Sequence, residues 1–139
     1  MVGDATDKAR TTPGKGSMQP TILKPAILVV EDDVLVRLSA VESLEELGYV
    51  VLEAATAAEA ITLLEHRPDI RIVFTDVQMP GTVDGLMLAE VVSKRWPPVK
   101  LFITSALPLS RPPPTGAEFL PKPYVFAHIE KLFATALAT

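Results

Sequence analysis

Short apolar runs alternate with longer amphipathic stretches along most of the chain, and this alternation constrains the fold more than any other feature. Strand-like runs lie at about residues 26–30, 49–53, 70–75, 100–104 and 118–120. Helical patterns lie at about 34–47, from 56 onward, at 86–95 and at 124–136. Because consecutive parallel strands need long crossover connections, such alternation predicts an open parallel sheet with helices on both faces.

Three of the helical patterns carry more specific signals. Thr56 and Glu59 form a capping box that should begin the second helix. The side of the first helix expected to face the sheet carries Val34, Leu38, Val41, Leu44 and Leu47, and Gly48 follows as a stop signal. The inward side of the last helix should carry Val125, Ile129, Leu132, Phe133 and Ala136.

Composition fits one globular domain and excludes several classes of protein. The 139 residues are 48% hydrophobic and carry a net charge of −4 with no basic stripe, which argues against direct nucleic-acid binding. The lack of cysteine excludes a disulfide scaffold, a thiolate zinc site and a cysteine nucleophile. No apolar run approaches the roughly 18–20 residues of a membrane span, and no secretory signal is present. A cytoplasmic protein with no membrane contact is expected.

The first 24 residues differ from the rest of the chain. They are dominated by Gly, Pro, Thr, Ser, Lys and Asp and show no hydrophobic period. Such a segment buries too little apolar surface to offset its ordering entropy. The sequence therefore predicts a flexible arm over 1–24 and one folded domain over 25–139.

Polar residues collect at the carboxyl ends of the predicted strands, which are otherwise nearly all apolar. In an open parallel sheet these ends meet at one edge, where ligands bind. The residues there are Glu31, Asp32 and Asp33 after the first strand, Asp76 after the third, Thr104 and Ser105 at the fourth, and Lys122 after the fifth.

Several carboxylates at one edge require a cation. Two unit charges about 4 Å apart interact by about 4 kcal/mol at an effective dielectric near 20, so the acids stay ionised together only if positive charge shares the site. Oxygen ligands without cysteine or histidine suit Mg²⁺, or Mn²⁺ in its place. With Lys122 and a hydroxyl nearby, such a site would hold a phosphoryl group and let a carboxylate attack phosphorus.

Four segments, taken in order, make the chain resemble the receiver domains of two-component response regulators. The resemblance covers about residues 26–137. The segments are Ile27-Leu28-Val29-Val30-Glu31-Asp32, then Phe74-Thr75-Asp76-Val77-Gln78-Met79-Pro80 with Asp84-Gly85, then Ile103-Thr104-Ser105-Ala106, then Phe119-Leu120-Pro121-Lys122-Pro123-Tyr124. The resemblance implies a flavodoxin-like, three-layer α/β/α fold with a five-stranded parallel sheet of order 2-1-3-4-5.

The same resemblance assigns roles to the strand-end residues. Asp76 would be the phosphoacceptor, and Thr104 and Lys122 would bind phosphoryl oxygens. The metal ligands would be Asp32, Asp76 and the backbone carbonyl of Gln78, with Glu31 acting through a bound water. Phe119 occupies the position of a switch aromatic, although a short strand also favours phenylalanine for packing alone. Asp33 is expected chiefly as the N-cap of the first helix, with an outer-shell role as the alternative. A cis peptide bond is implied at Lys122-Pro123.

The implied function is a bacterial phosphorelay switch. A sensor histidine kinase or histidine phosphotransfer protein would donate the phosphoryl group, and an unknown downstream protein would read the changed surface, with a homodimer left open. The domain would catalyse only its own phosphorylation and dephosphorylation. With no DNA-binding module after the last helix, a stand-alone receiver or one excised from a hybrid kinase is expected.

Two alternatives come from other classes of protein. The chain could be a receiver-like interaction scaffold that never takes phosphate, against which the complete set of site residues argues. It could also be an aspartate-nucleophile phosphohydrolase on a related fold. Those enzymes place an Asp-x-Asp pattern on the first strand, which Glu31-Asp32-Asp33 lacks.

The chain departs from the family pattern in two places. The loop between Pro80 and Asp84 has one residue more than the commonest form. Prolines at 108, 112, 113 and 114 remove donors and clash within a helix, each at about 3 kcal/mol or more, so the helix between the fourth and fifth strands should be short or missing. We therefore expect an unusual output surface, in part an extended, polyproline-like loop.

Overall fold

The computed structural model describes residues 24–79 and 83–138, and within them it contains five strands and four helices. The strands are β1 (Ala26–Val30), β2 (Val50–Ala54), β3 (Ile70–Asp76), β4 (Lys100–Ser105) and β5 (Glu118–Pro121). The helices are α1 (Val34–Glu46), α2 (Ala57–His66), α3 (Gly85–Arg95) and α4 (Phe126–Leu137). All neighbouring strands pair in parallel in the order β2-β1-β3-β4-β5, which confirms the predicted fold and topology.

The sheet is buried on both faces, as a parallel sheet between two helical layers requires. Alternate residues of β1 show this directly, since Leu28 belongs to one apolar cluster and Ile27 to the other. The first cluster includes residues of α2 and α3, and the second includes residues of α1 and α4. In the second, the ring of Phe133 lies 5.5 Å from that of Phe74 and 4.8 Å from that of Phe102.

The inward side of α1 differs from the prediction. Val41 and Leu44 are buried as expected, but Val34, Leu38 and Leu47 are 56%, 41% and 40% exposed, so that part of the prediction was wrong. The buried stripe includes Ala40 instead, and the side chain of Arg37 is only 16% exposed. α1 is therefore rotated so that Ala40 and Arg37 lie on its buried side. A pattern of large apolar residues does not identify this side, because alanine is small and arginine is charged.

The last helix begins later than predicted. Ile129 and Phe133 are fully buried, and Leu132 and Ala136 pack against the same cluster. Val125 is the N-cap residue and 71% exposed, so its predicted place on the inward side was wrong. The residue lies before the first helical turn, and its side chain therefore does not follow the helical period.

No helix forms between β4 and β5, where residues 106–117 make bends and turns. This confirms the prediction drawn from the prolines. The segment is held against α3 by Arg111, whose Nε lies 3.1 Å from Glu90 Oε2. The arm predicted for residues 1–24, except Lys24, and the lengthened loop at residues 80–82 lie outside the described residues. No helix in the described part of the chain has the length and apolar character needed to cross a membrane.

The capping box at the start of α2 is present with a small variation. Thr56 Oγ1 accepts a hydrogen bond from the backbone N–H of Glu59 at 3.1 Å, and Glu59 Oε1 accepts one from the N–H of Ala55 at 2.8 Å. The acid therefore reaches one residue before the N-cap. One donor of the first helical turn and one backbone donor just before the N-cap are thereby satisfied.

Thr56→Ala is expected to lower the free energy of unfolding by about 1 kcal/mol, because it removes the N-cap acceptor of α2. Thr62→Ala on the same helix is the matched control, since the Thr62 hydroxyl only donates to the carbonyl of Ala58 in an exposed turn. Alanine has the higher helix propensity there, so this variant should be neutral or slightly more stable. Urea denaturation of both proteins measures the difference, and equal effects would contradict the capping role.

Candidate functional site

The polar residues predicted to meet at one edge of the sheet do lie together at the carboxyl ends of β1, β3 and β4. Asp76 is the last residue of β3 and pairs in register with Thr104 on β4. Glu31 follows β1 directly, and its backbone N–H bonds the carbonyl of Ala54 on β2 at 3.0 Å. The side chains of Glu31, Asp76 and Thr104 are all buried. The ends of the central strands thus place these polar side chains where they are shielded from solvent.

Three carboxylates converge at this edge. One oxygen from each of Glu31, Asp32 and Asp76 lies within 4.8 Å of the others. Asp32 is exposed, whereas Glu31 and Asp76 are buried, so the cluster opens to solvent on the Asp32 side. Such a set of oxygen ligands can hold a hard divalent cation that keeps part of its water shell.

Lys122 brings a positive charge to the same cluster. Its Nζ lies 3.6 Å from Glu31 Oε1 and 3.5 Å from Asp76 Oδ2. The backbone N–H of Lys122 bonds the carbonyl of Ser105 at 2.9 Å, which fixes the end of β5 beside β4. The peptide bond to Pro123 is cis, as the resemblance implies. One ammonium against three carboxylates leaves net negative charge that a divalent cation balances.

The environment of Glu31 opposes its ionisation. The pKa of Glu31 is raised to about 7, chiefly by burial and also by the nearby Asp76 carboxylate, although the backbone N–H of Asp33 and the ammonium of Lys122 act to lower it. A nearby positive charge lowers the pKa of a carboxyl group, so a bound cation would favour the ionised form of Glu31. This electrostatic state fits a cation-binding cluster.

Thr104 supplies an independent indication of a ligand. Its Oγ1 is buried and has no hydrogen-bond partner among the described residues. A buried hydroxyl without a partner costs about 1–3 kcal/mol. Because Thr104 stands beside Asp76 in the β3–β4 register, an oxygen of a group attached to Asp76 would satisfy this hydroxyl. The residues present therefore fit both a divalent cation and a phosphoryl group.

Two of the predicted site residues lie at the margin of the cluster. The backbone N–H of Gln78 approaches Asp76 Oδ1 at 3.4 Å, and the Gln78 side chain bonds the hydroxyl of Ser105 at 2.9 Å. Phe119 is half-buried on β5, in register with Ile103. The role of the Gln78 carbonyl in metal binding and that of Phe119 in switching stay predictions.

Asp33 caps α1, as expected. Its Oδ1 accepts hydrogen bonds from the backbone N–H groups of Leu35 and Val36 at 3.0 and 3.1 Å. Its own N–H donates to Glu31 Oε2 at 3.1 Å. The cap therefore also orients one member of the acidic pair.

Two residues near the site were not assigned a role from the sequence. Tyr124 lines a small cavity together with Glu31, Asp76 and Thr104, and burial beside the two acids raises the pKa of its phenol. Arg37 Nη1 donates to the backbone carbonyl of Glu31 at 2.8 Å. Its place in the first turn of α1, six residues after Glu31, is the only sequence signal for that contact.

The chain matches one family model and is similar to several known proteins. The family model of the response regulator receiver domain matches residues 27–110, a range that holds the predicted site residues up to Thr104 but ends before Lys122. The sensor kinase CckA of Brucella abortus (strain 2308) is 36% identical over 104 residues, which cover 70% of this chain and 11% of that protein.

Two further proteins are similar over most of the chain. The transcriptional regulatory protein PdtaR of Mycobacterium tuberculosis (strain CDC 1551 / Oshkosh) is 37% identical over 102 residues, covering 71% of this chain and 43% of PdtaR. The chain thus spans less than half the length of CckA or of PdtaR. The crystal structure of the response regulator protein TrrA from Thermotoga maritima, in complex with Mg²⁺-BeF, superposes with a TM-score of 0.73 at 26% identity. The superposition covers 81% of this chain and 98% of TrrA.

Proposed function

Since the chain belongs to the response regulator receiver domain family, we propose that it is a magnesium-dependent switch that accepts a phosphoryl group on Asp76. The observation that carries the proposal is the convergence of Glu31, Asp32 and Asp76 within 4.8 Å, with the Lys122 amine 3.5 Å from Asp76. Receiver domains are signalling domains, so the only reactions proposed are the phosphorylation and dephosphorylation of the domain itself.

The metal would be held by Asp32, Asp76 and the backbone carbonyl of Gln78, with Glu31 reaching it through water. When bound, Mg²⁺ neutralises charge on the carboxylates and on the phosphoryl oxygens. Asp32 is the exposed member of the cluster and leaves an open side toward solvent. That side gives a phosphodonor access to the oxygen atoms of Asp76.

In the proposed transfer, an Asp76 carboxylate oxygen attacks the phosphorus of a phosphohistidine. An O–P bond forms as the N–P bond to the imidazole breaks, and the bonding electron pair leaves with the imidazole nitrogen. Lys122 pairs with one equatorial oxygen of the transferred group, and the Thr104 hydroxyl donates to another. Water later attacks the phosphorus of the acyl phosphate, the O–P bond to Asp76 breaks, and inorganic phosphate leaves, which restores the carboxylate.

The switch would begin at Thr104. A phosphoryl group brings roughly two negative charges and strong acceptors, which draw the Thr104 hydroxyl, unpaired within the described part of the chain, and the Lys122 ammonium toward it. Thr104 lies on β4 directly before the helix-free segment 106–117, and Phe119 lies on the neighbouring β5. The surface formed by these parts of the chain would be the one read by a partner.

The proposed phosphodonor is a sensor histidine kinase or a histidine phosphotransfer protein in the cytoplasm. The similarity to CckA, a sensor kinase, and to PdtaR, a transcriptional regulatory protein, supports a place in a phosphorelay. The downstream protein and the oligomeric state are not specified by these similarities.

The test is phosphorylation by acetyl phosphate, followed by intact-protein mass spectrometry. We expect the mass of one phosphoryl group to be added in the presence of Mg²⁺ and none when the metal is removed with EDTA, because the carboxylates then repel the incoming anion. Beryllofluoride with Mg²⁺ should also change the NMR signals of Thr104 and Lys122. No mass gain and no spectral change under either condition would favour the phosphorylation-independent scaffold.

A further inference from the structure

Two hydrogen bonds of Arg37, from different nitrogens of its guanidinium, tie the first acidic residue of the site to two secondary-structure elements. Arg37 Nη1 donates to the main-chain carbonyl of Glu31 at 2.8 Å, and Arg37 Nε donates to Glu53 Oε1 on β2 at 3.0 Å. The arginine side chain is only 16% exposed, while that of Glu53 is 41% exposed. One guanidinium thus joins α1, the end of β1 and the neighbouring strand.

The carbonyl of Glu31 belongs to the same peptide plane as the backbone nitrogen of Asp32. Fixing that carbonyl therefore limits how the backbone at Asp32 can turn. On the other side, Asp33 is fixed by its capping bonds to Leu35 and Val36. Asp32 is the exposed acid of the cluster, and both of its neighbours are held although its own side chain faces solvent.

The chemistry of the contact matches arginine and no other cation. A guanidinium presents several N–H donors in a rigid planar fork, so it can bond a carbonyl and a carboxylate in fixed directions at once. A lysine ammonium is a point charge on a flexible stem and lacks this geometry. Arg37 also contacts the main chain of Glu31 rather than its carboxylate. The hydrogen bond that Arg37 makes to the acidic site therefore orients a peptide and not a carboxylate.

We propose that Arg37 is a positioning residue that fixes the Glu31–Asp32 peptide and so presets the Asp32 carboxylate for binding a divalent cation. This inference rests on the proposed function, because it takes the acidic cluster to be a magnesium site. Groups that orient metal ligands from outside typically change metal affinity by about 10–100-fold when they are removed.

The test is the affinity of the purified protein for Mg²⁺ alone, measured by isothermal titration calorimetry. Arg37→Ala is expected to weaken binding about tenfold, because the ordering of the Glu31–Asp32 peptide must then accompany binding. The Mg²⁺ affinity of Arg37→Lys should lie between those of Arg37→Ala and the wild type, since an ammonium can hold only one of the two acceptors firmly. Glu53→Gln retains the contact with the Glu31 carbonyl and should have the smallest effect.

Arg95→Ala is the matched control. Arg95 pairs with Glu65 at 2.9 Å at the far end of α3, so the variant removes the same charge and a similar ion pair away from the cluster. We expect its magnesium affinity to equal that of the wild type. Equal affinities for Arg37→Ala and Arg95→Ala would overturn the positioning role.

Folding and function are separated by two further measurements. Urea denaturation shows whether Arg37→Ala is folded, and if it is not, Arg37→Lys and Glu53→Gln carry the test. The rate of phosphorylation by acetyl phosphate should be measured at increasing Mg²⁺ concentration. For Arg37→Lys we expect a higher half-saturating Mg²⁺ concentration than for the wild type, but the same maximal rate. A wild-type protein that binds Mg²⁺ but takes no phosphoryl group would reject the proposed function and leave the calorimetric test of Arg37 intact.

Discussion

Replacing Asp76 by asparagine is expected to abolish phosphoryl acceptance completely while leaving the fold intact. The amide has almost the shape of the carboxylate but lacks the charged oxygen that attacks phosphorus. Thr104 and Lys122 remain in place, so the loss would isolate the nucleophile from the groups around it. Mass spectrometry after incubation with acetyl phosphate and Mg²⁺ measures the result directly.

The same substitution should change stability in a direction that depends on the metal. Asp76 and Glu31 are both 6% exposed, and the Asp76 carboxylate contributes to the raised pKa of Glu31. Removing the Asp76 charge relieves its repulsion with ionised Glu31, so Asp76→Asn should unfold at higher urea concentration in metal-free buffer at a pH above about 7, where Glu31 is ionised. The wild type should gain stability on adding Mg²⁺ according to its affinity, and the variant should gain much less.

Asp84→Asn provides the control for both measurements. Asp84 caps α3 by accepting a hydrogen bond from the N–H of Met87 at 2.9 Å, and asparagine is an equally good N-cap residue. This variant should accept a phosphoryl group as the wild type does. Phosphorylation of Asp76→Asn at the wild-type level would place the acceptor elsewhere and refute the proposed mechanism.

The part of the site that could be predicted consists of residues at strand ends. Asp76 and Thr104 are far apart in sequence, but parallel strands place their carboxyl ends at one edge whatever the details of packing. The helix-free segment was predictable for a similar reason, because the effect of Pro112 and its neighbours is local to the backbone.

What could not be predicted depends on how α1 is rotated against the sheet. Large apolar residues such as Val34 and Leu38 suggested one inward side, whereas the packed helix turns Ala40 and Arg37 toward the sheet. Alanine gives only a weak signal in an apolar pattern, and an arginine is assigned to solvent by default. The acceptor for Arg37 is a main-chain carbonyl, which every residue possesses, so no side chain in the sequence marks the contact.

A second large effect is expected at Gly85, the first residue of α3. The N–H of Gly85 bonds the carbonyl of Val77 at 3.1 Å and holds the start of the helix against the chain that leaves β3. A Cβ at this position would overlap the carbonyl oxygen of Asp76 and lie 2.8 Å from both the carbonyl carbon of Asp76 and the Cα of Val77. All three atoms are backbone, and they cannot move aside as a side chain could.

Gly85→Ala is therefore expected to lower the free energy of unfolding by about 3 kcal/mol, the upper part of the range for overpacked sites. The higher helix propensity of alanine offsets only about 1 kcal/mol of this cost. Because the overlapped atoms belong to the backbone of Asp76 and Val77, we expect relief of the overlap to displace Asp76, and magnesium affinity and phosphoryl acceptance should then fall as well. Urea denaturation, calorimetry and mass spectrometry on the same preparation would measure the three effects.

Gly116→Ala separates steric overlap from backbone strain. Gly116 has a φ of 90°, and a Cβ there would meet no atom within 4 Å, so its replacement costs only the left-handed conformation, about 1–2 kcal/mol. It should reduce stability without altering magnesium affinity. If Gly85→Ala were as stable as the wild type, the start of α3 could withdraw from β3 freely. The close approach of the helix would then have no part in fixing the position of Asp76.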